Sequence, residues 1–365
     1  MKTESFEFES APRERFIELP FRLYAGDARW VPPLKVEVAR SLSPENLFLR
    51  HGKLRSFLVS TNDGKTLGRC TAMVNDGFVH EGDPTGMIGF FEAENDPAVS
   101  HALLSAASNW LREQGMRRVI GPMNFSIWHG GYRFMTRGFD CKPFHGEPYN
   151  PPFYPAHFEG FGFKPFGQWA SWDLTDADAR TMLVAAEATA VPDAGYRPDT
   201  DAFRGERFDD GLKRLHGILV EAFRENIAHT PIDFEEFASL YAGMRATIIH
   251  EILPLWLAPD GETVGTIVAF PDLGDLFRAV GGDASRLAEA AAATPPPDRL
   301  IFHTMAFLKA HRRQGLVPLA IVPFLRAVLA TGVPKAIGAL AKEGPTIYAK
   351  TGPSSRQYAL YQMAL

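Results

Sequence analysis

The sequence predicts an α/β (α+β) chain that is built from two units with the same order of elements. With 365 residues, 45% of them hydrophobic, the chain exceeds the roughly 250 to 300 residues at which a single core usually divides. The hydrophobic periods in each half predict a helix, a hairpin, a strand, a helix, a strand, a short helix and a strand. We therefore predict domains at 1–175 and 208–365, joined by a polar linker at 176–207.

The elements of the first half follow from local signals. Arg13 to Tyr24 has helical spacing, although Pro20 is expected to bend or break it. Asp96 and Pro97 are typical of a helix start, and Gly115 of its end. The remaining elements are a hairpin at 54–60 and 66–74 that turns at Asn62-Asp63-Gly64, strands at 87–91, 117–120 and 163–174, and a short helix at 153–159.

The second half repeats this order. Asp233 to Glu236 has the form of a capping box and predicts a helix start, and Pro323 is expected to kink the helix around it. The predicted elements are helices at 212–223, from 233, and at 316–329, a hairpin at 253–257 and 263–270, a loop at 272–298, strands at 300–308, 335–340 and 357–363, and a short helix at 346–350.

The composition excludes several classes of function. A net charge of -5 and a pI near 6.1 give no electrostatic footprint for nucleic acid or an anionic membrane. The start of the chain is too acidic for a signal peptide, and no apolar run approaches a membrane span, so a cytoplasmic protein without a membrane partner is expected. Cys70 and Cys141 are too few for a disulfide framework. The eleven histidines lack metal-ligand spacing, and no metal is predicted.

The most informative stretch is His311-Arg-Arg-Gln-Gly-Leu-Val317. It lies between a predicted buried strand and a predicted helix, where backbone N–H groups without intrahelical partners converge. Such a turn can bind an anion such as a phosphate. Solvated charges at a helix start are the alternative.

The long segment from Asn124 to Tyr154 is rich in aromatic residues. A loop of this length is typical of a functional lid or of a structured cap over a core, and both readings stay open. On the first reading we predict that Trp128, Tyr132 and Tyr149 bind substrate.

The order of elements, with Arg312-x-x-Gly315 between the central strand and helix, resembles the GNAT acetyltransferase superfamily. The opening run Phe16-Ile-Glu-Leu-Pro20, with Leu23-Tyr24 and Trp30-Val-Pro-Pro-Leu34, resembles an uncharacterised bacterial group within it. The resemblance covers nearly the whole chain. It implies two tandem GNAT-like domains, each a mixed, mostly antiparallel sheet flanked by helices.

In that superfamily the loop holds the pyrophosphate of acetyl-CoA or another acyl-CoA, which is the implied co-substrate. Val317 stands where the family has Gly or Ala, and Pro318 has no N–H to offer. The strand before the loop would pair with pantetheine and polarise the thioester carbonyl. The resemblance implies these co-substrate-binding residues: Phe307, Leu308, Arg312, Arg313, Gln314, Gly315, Leu316 and Val317.

A second match concerns a proton donor. The family often has Tyr four residues before the Gly that ends its last short helix, which here gives Tyr348 and Gly352, although Pro353 replaces the usual Phe. A phenol can protonate a departing thiolate when it lies within hydrogen-bond reach. His303 and Glu343 are the candidate bases for the attacking amine.

The first half departs further from the family. Its corresponding loop is Glu94-Asn-Asp-Pro-Ala98, with carboxylates where a phosphate needs positive charge, and Phe158 takes the place of the tyrosine. We expect this half to lack the phosphate loop and to shape a substrate cleft or stabilise the other half.

The predicted function is an acyl-CoA-dependent N-acyltransferase, with acetyl the expected acyl group, that acts on an unknown small-molecule amine by direct transfer. Two alternatives stay open: a non-catalytic ligand-binding protein with this fold, and a CoA-independent aminoacyl transferase. The second would use charged tRNA, against which the acidic net charge argues. The sequence leaves a homodimer open.

Overall fold

The structure is a computed structural model that describes residues 1–190, 195–312, 316–344 and 346–365. Its contacts divide the chain into two compact units. Unit 1 consists of Met1–Gln168, Leu273–Pro295 and Arg356–Leu365, and unit 2 consists of Trp169–Asp272 and Pro296–Ser355. The predicted boundaries at 175 and 208 treat each domain as one continuous stretch, whereas both units combine separate stretches.

Unit 1 contains a sheet flanked by helices. Its strand order is β1-β2-β3-β4-β5-β13, with β6 beside β13, and β4 runs parallel to β5 while the other recorded pairs are antiparallel. Its strands are β1 Lys2–Phe6, β2 Gly52–Ser60, β3 Thr66–His80, β4 Asp83–Ala93, β5 Arg118–Gly121, β6 Phe134–Arg137 and β13 Arg356–Ala364. Its helices are α1 Ser10–Leu23, α2 Lys35–Ser41, α3 Pro97–Glu113, α4 Tyr154–Phe161, α8 Gly274–Val280 and α9 Leu287–Ala293.

The strands of unit 2 are hydrogen-bonded in the order β7-β12-β11-β10-β9-β8, with both parallel and antiparallel pairs. Here β11 runs parallel to β12, and the other pairs are antiparallel. Its strands are β7 Lys164–Thr175, of which the residues from Trp169 onward belong to this unit, β8 Arg197–Asp199, β9 Leu255–Leu257, β10 Thr263–Pro271, β11 Arg299–Phe307 and β12 Lys335–Lys342. Its helices are α5 Asp176–Glu187, α6 Phe208–Ala222, α7 Phe234–Tyr241 and α10 Leu316–Ala330.

The sequence signals explain most of these elements. The Asp96 side chain accepts a hydrogen bond from the Ala98 N–H and Pro97 takes the first position, so α3 begins as predicted. Pro20 was expected to bend or break α1, and the break is wrong because the helix continues to Leu23. The predicted loop at 272–298 is also wrong, since it contains α8 and α9, the latter because its alanine-rich sequence favours a helix.

The closing strands occupy unexpected places. In unit 1 the strand next to β5 is β13, from the C-terminus, and in unit 2 the strand next to β12 is β7, from the first half of the sequence. The strand predicted to close each half therefore completes the other unit. Within the described part of the chain, no helix has the length and apolar character that crossing a membrane requires.

Candidate functional site

The sheet of unit 2 opens at its two parallel strands. The pairing of β11 with β12 runs from Arg299 and Lys335 to Phe302 and Gly338 and then ends. Beyond this point β11 remains paired with β10 through Phe307, after a register shift opposite His303. Over residues 303–307, one edge of β11 is therefore not paired with β12. We call this separation of the two strands the fork, and it is the candidate site.

The direction of the amides at the fork follows from one hydrogen bond. The Leu308 N–H donates to the Val264 carbonyl on β10 at 2.8 Å. Because neighbouring residues of a strand point to opposite edges, the Phe307 amide faces the open edge. The Leu308 amide is thus bonded to protein, whereas the Phe307 amide points to the open edge. The predicted co-substrate role of these two residues stays a prediction.

The predicted phosphate loop is described only at its two ends. Arg313, Gln314 and Gly315 lie outside the described residues. Arg312 is exposed and its Nε donates to the Phe307 carbonyl at 2.7 Å. On the other side, Leu316 begins α10 and is buried, while Val317 packs half-buried against the core.

Tyr348 lies at the fork. It belongs to a 3-10 turn, Ile347–Lys350, that the Thr346 hydroxyl caps by accepting from the Tyr348 N–H at 3.3 Å. A Cβ placed on Gly338, the last β12 residue paired with β11, would lie 2.7 Å from the Tyr348 ring. Burial raises the pKa of the phenol, so it stays protonated at neutral pH. Among the described residues we find no hydrogen-bond partner for its hydroxyl.

The two candidate bases are both at the surface. His303 Nδ1 lies 2.8 Å from the Thr304 hydroxyl, and its ring packs 5.5 Å from that of Phe270. Glu343 is exposed and directly follows β12. The geometry favours neither over the other, and both assignments stay predictions.

The corresponding loop of unit 1 is filled by its own carboxylates. Glu94 pairs with Arg22 at 2.7 Å and with Lys65 at 2.8 Å, and Asp96 caps α3. Arg22 and Lys65, the cations beside this loop, thus share one carboxylate. That unit 1 lacks the phosphate loop stays a prediction.

Sequence reasoning missed a polar cluster at the end of β4. The Glu92 carboxylate accepts hydrogen bonds from the Tyr24 hydroxyl at 3.0 Å and the Tyr154 hydroxyl at 2.8 Å. Burial raises the pKa of Glu92, and the Arg69 guanidinium opposes this shift. The only signal in the sequence was one Glu at the end of an apolar strand, and this signal does not indicate which residues the Glu contacts.

The predicted substrate-binding aromatics all belong to unit 1. Trp128 is only 5% exposed, which leaves little of its surface for a substrate. Tyr132 is covered by the Arg133 guanidinium at 3.7 Å, and the Tyr149 hydroxyl donates to Asp27. Their role in substrate binding stays a prediction. In the described residues, no group of three or more His, Cys, Asp or Glu could hold a metal ion.

The sequence comparisons identify two curated relatives. The chain is 28% identical over 277 residues to a protein of Caulobacter vibrioides called bacterial ceramide synthase, an alignment that covers 74% of this chain and 70% of the relative. It is 27% identical over 276 residues to protein YghO of Escherichia coli, over 73% of this chain and 67% of that protein. No protein-family model matches the chain.

The structural comparison gives the fold. A tandem GNAT protein from the clavulanic acid biosynthesis pathway superposes with a TM-score of 0.56 and 13% identity, over 100% of this chain and 98% of that one. A GCN5-related N-acetyltransferase from Sphaerobacter thermophilus gives 0.52 and 14%, over 99% and 95%. At such identities the likeness concerns the fold. The chain therefore has the tandem fold of the GNAT acetyltransferases, as its motifs predicted.

Proposed function

We propose that this protein is an N-acyltransferase that takes an acyl group from acyl-CoA in unit 2 and passes it to an amine. The observation that carries the proposal is the fork between β11 and β12, with the buried Tyr348 ring packed over Gly338 where the strands part. An outward-facing backbone edge beside a proton donor is what acyl transfer from a thioester requires.

The residues of the fork would share the chemistry as follows. The Phe307 amide faces the open edge, where it can donate to the pantetheine arm or the thioester carbonyl. The neutral amine attacks the carbonyl carbon and loses one proton to a base, for which His303 and Glu343 are the candidates, while the bond to sulfur breaks and the thiolate leaves. A CoA thiol has a pKa of about 8.5, so the departing sulfur takes the proton of Tyr348, and the solvent then reprotonates the tyrosine. Transfer is direct.

The proposed acceptor is a long-chain amino alcohol. It rests on the Caulobacter vibrioides relative, whose name says that it makes ceramide, which is the amide of a fatty acid and such an amine. The bond formed is the one that the fork is suited to make. A fatty acyl group is accordingly proposed as the donor, in place of the acetyl group expected from the sequence.

The test measures amide formation directly. Purified protein is mixed with sphinganine and with acetyl-CoA, octanoyl-CoA or palmitoyl-CoA in turn, while thiol release and the mass of the product are followed. We expect amide and free CoA in equal amounts, with palmitoyl-CoA preferred. Acetyl-CoA as the preferred donor would overturn the fatty-acyl assignment and leave the acyltransferase intact.

Two variants test the residue roles. Tyr348→Phe should lower kcat by roughly 10²-fold or more without changing CoA affinity in calorimetry. Arg312→Glu should weaken CoA binding. The control is Arg326→Glu, near the other end of α10, which should leave CoA binding unchanged. A wild-type protein that neither binds millimolar acyl-CoA nor releases thiol would refute the proposed function.

A further inference from the structure

We infer that β7 positions the proton donor of unit 2, with Trp172 as the positioning residue for Tyr348. The inference rests on the proposed function, because Tyr348 has a catalytic role only if acyl transfer occurs at the fork. It adds a residue from the first half of the sequence to a site whose other members all come from the second half.

The segment that carries Tyr348 is fastened to β7 by its backbone. The Ser355 N–H donates to the Ser171 carbonyl at 2.9 Å, and the Ser355 hydroxyl donates to the same oxygen at 3.2 Å. The Trp172 Nε1–H donates to the Gly352 carbonyl at 3.2 Å across 180 residues of sequence. These bonds join the turn that follows Tyr348 to two successive residues of one strand.

The Tyr348 ring is held between two neighbours. The Trp172 ring lies 5.6 Å away with an interplanar angle of 33°. On β12, Gly338 is the register partner of Trp172 and offers no side chain where the Tyr348 ring approaches. The tryptophan and the glycine therefore define the ring position from two strands that are themselves paired.

The strand β7 also fixes the irregular part of β12. The Leu340 N–H donates to the Ser171 hydroxyl at 3.1 Å, and Leu340 has a φ of 54°, a left-handed conformation that is unusual for leucine. This irregularity interrupts the pairing of β12 with β7. Ser171 thus bonds to Leu340, which precedes Tyr348 in the chain, and to Ser355, which follows it, while the Trp172 ring contacts the tyrosine itself.

The tyrosine turn needs this external support. A 3-10 turn of four residues is short and poorly stabilised by its own hydrogen bonds. Its local bonds, from Thr346 and Thr351, constrain the backbone of Tyr348 and not its ring. The orientation of the phenol therefore depends on Trp172 and Gly338.

The experiment compares Trp172→Phe, Trp172→Ala and Ser171→Ala with Trp256→Phe. Trp256 is a fully buried tryptophan of the same unit, on β9, and among the described residues it makes no recorded ring contact with Tyr348. Two properties are measured for each variant: kcat and KM over pH 6 to 10, and the ionisation of Tyr348 by carbon-13 NMR of labelled tyrosine, assigned with Tyr348→Phe.

We expect Trp172→Phe to lower kcat at least fivefold with KM for acyl-CoA within twofold of wild type. Trp172→Ala should lower kcat further, and it should move the Tyr348 ionisation toward the ordinary phenol value because water reaches the ring. Ser171→Ala should show the same direction with a smaller effect. Trp256→Phe should leave both measurements unchanged apart from thermal stability.

The outcomes separate the two claims. If the wild type transfers acyl groups and Trp172 variants keep wild-type kcat and Tyr348 ionisation, the positioning role is refuted while the proposed function stands. If the wild type shows no transfer, the proposed function fails, and the NMR titration still decides whether Trp172 shields the phenol. An equal loss of kcat in Trp256→Phe would show that general loosening of unit 2 is the cause, and this would also refute the inference.

Discussion

The C-terminal strand of unit 1 is anchored by a buried ion pair that can be tested by substitution. Arg356 Nε lies 3.0 Å from Glu147 Oε1, and the two side chains are 1% and 0% exposed. Glu147 also accepts hydrogen bonds from the Phe144 N–H and the Tyr358 hydroxyl. Arg356→Met leaves a carboxylate buried without its counter-charge, which destabilises a protein by about 3–5 kcal/mol.

The size of this effect makes it easy to measure. For a unit of this size, each kcal/mol lowers Tm by about 2–4 °C, so Arg356→Met should lower it by roughly 6–20 °C. In the double variant Arg356→Met with Glu147→Gln, both charges disappear, while the single amide oxygen of Gln can accept from the Phe144 N–H and its NH2 group can donate to the Tyr358 hydroxyl. We expect the double variant to regain most of the lost stability, because removing both charges of a buried pair is often neutral.

Urea unfolding followed by circular dichroism, with Glu147→Gln alone as the fourth corner of the cycle, gives the coupling free energy. A double variant no more stable than Arg356→Met would refute the reasoning, because the loss would then come from packing and not from an unpaired charge. A coupling near zero would have the same meaning. Either result would also weaken the assignment of β13 to unit 1.

Three further predictions concern other parts of the fold. Gly265→Ala should lower Tm and acyl-CoA affinity together, because its Cβ would lie 1.9 Å from the Phe307 ring and overpacking costs about 1–3 kcal/mol; an unchanged Tm would contradict the close approach. Burial lowers the pKa of His129 to about 3, so in acid the unfolded chain binds a proton that the folded one does not. Stability should therefore fall as the pH drops below about 6.5. His129→Gln should make this fall smaller, as measured by urea unfolding midpoints from pH 4.5 to 7. Asp96→Ala should cost about 0.5–2 kcal/mol through loss of the α3 cap, while Asp96→Asn should be near neutral, and equal losses would exclude capping.

Elements with a strong local signal were predicted well. The α3 helix has a cap, a proline at its first position and an apolar face, and its observed bounds agree with these signals. The β2–β3 hairpin follows its Asn62-Asp63-Gly64 turn. Each of these features is decided by residues within a few positions of one another, which is the range over which sequence patterns act.

The exchange of closing strands could not be predicted in this way. β7 and β13 each contain a run of four consecutive buried residues, and both pair antiparallel, one with β12 and the other with β5. Nothing in such an apolar run says which of two similar units a strand joins, because its hydrophobicity suits either. The ion pair of Arg356 with Glu147 distinguishes them, and it joins residues too far apart for any local pattern. Trp172 could not be assigned to the candidate site for the same reason.

The place in unit 1 that corresponds to the fork is where β4 parts from β5, and side chains of unit 1 supply the hydrogen bonds there. In unit 1, β4 also runs parallel to β5 for a few residues only, and past that point the Phe90 N–H donates to Asn124 Oδ1 at 2.7 Å and the Ala93 N–H to the Tyr154 hydroxyl at 2.8 Å. Buried amides need partners, and side chains of unit 1 supply them. In unit 2 the Phe307 amide faces an edge that β12 has left. In unit 1, Asn124 and Tyr154 already accept hydrogen bonds from these amides, so pantetheine would add none. In unit 2, pantetheine can accept a hydrogen bond from the Phe307 amide. This difference supports the proposal of an acyl-CoA site in unit 2 on grounds independent of the phosphate loop.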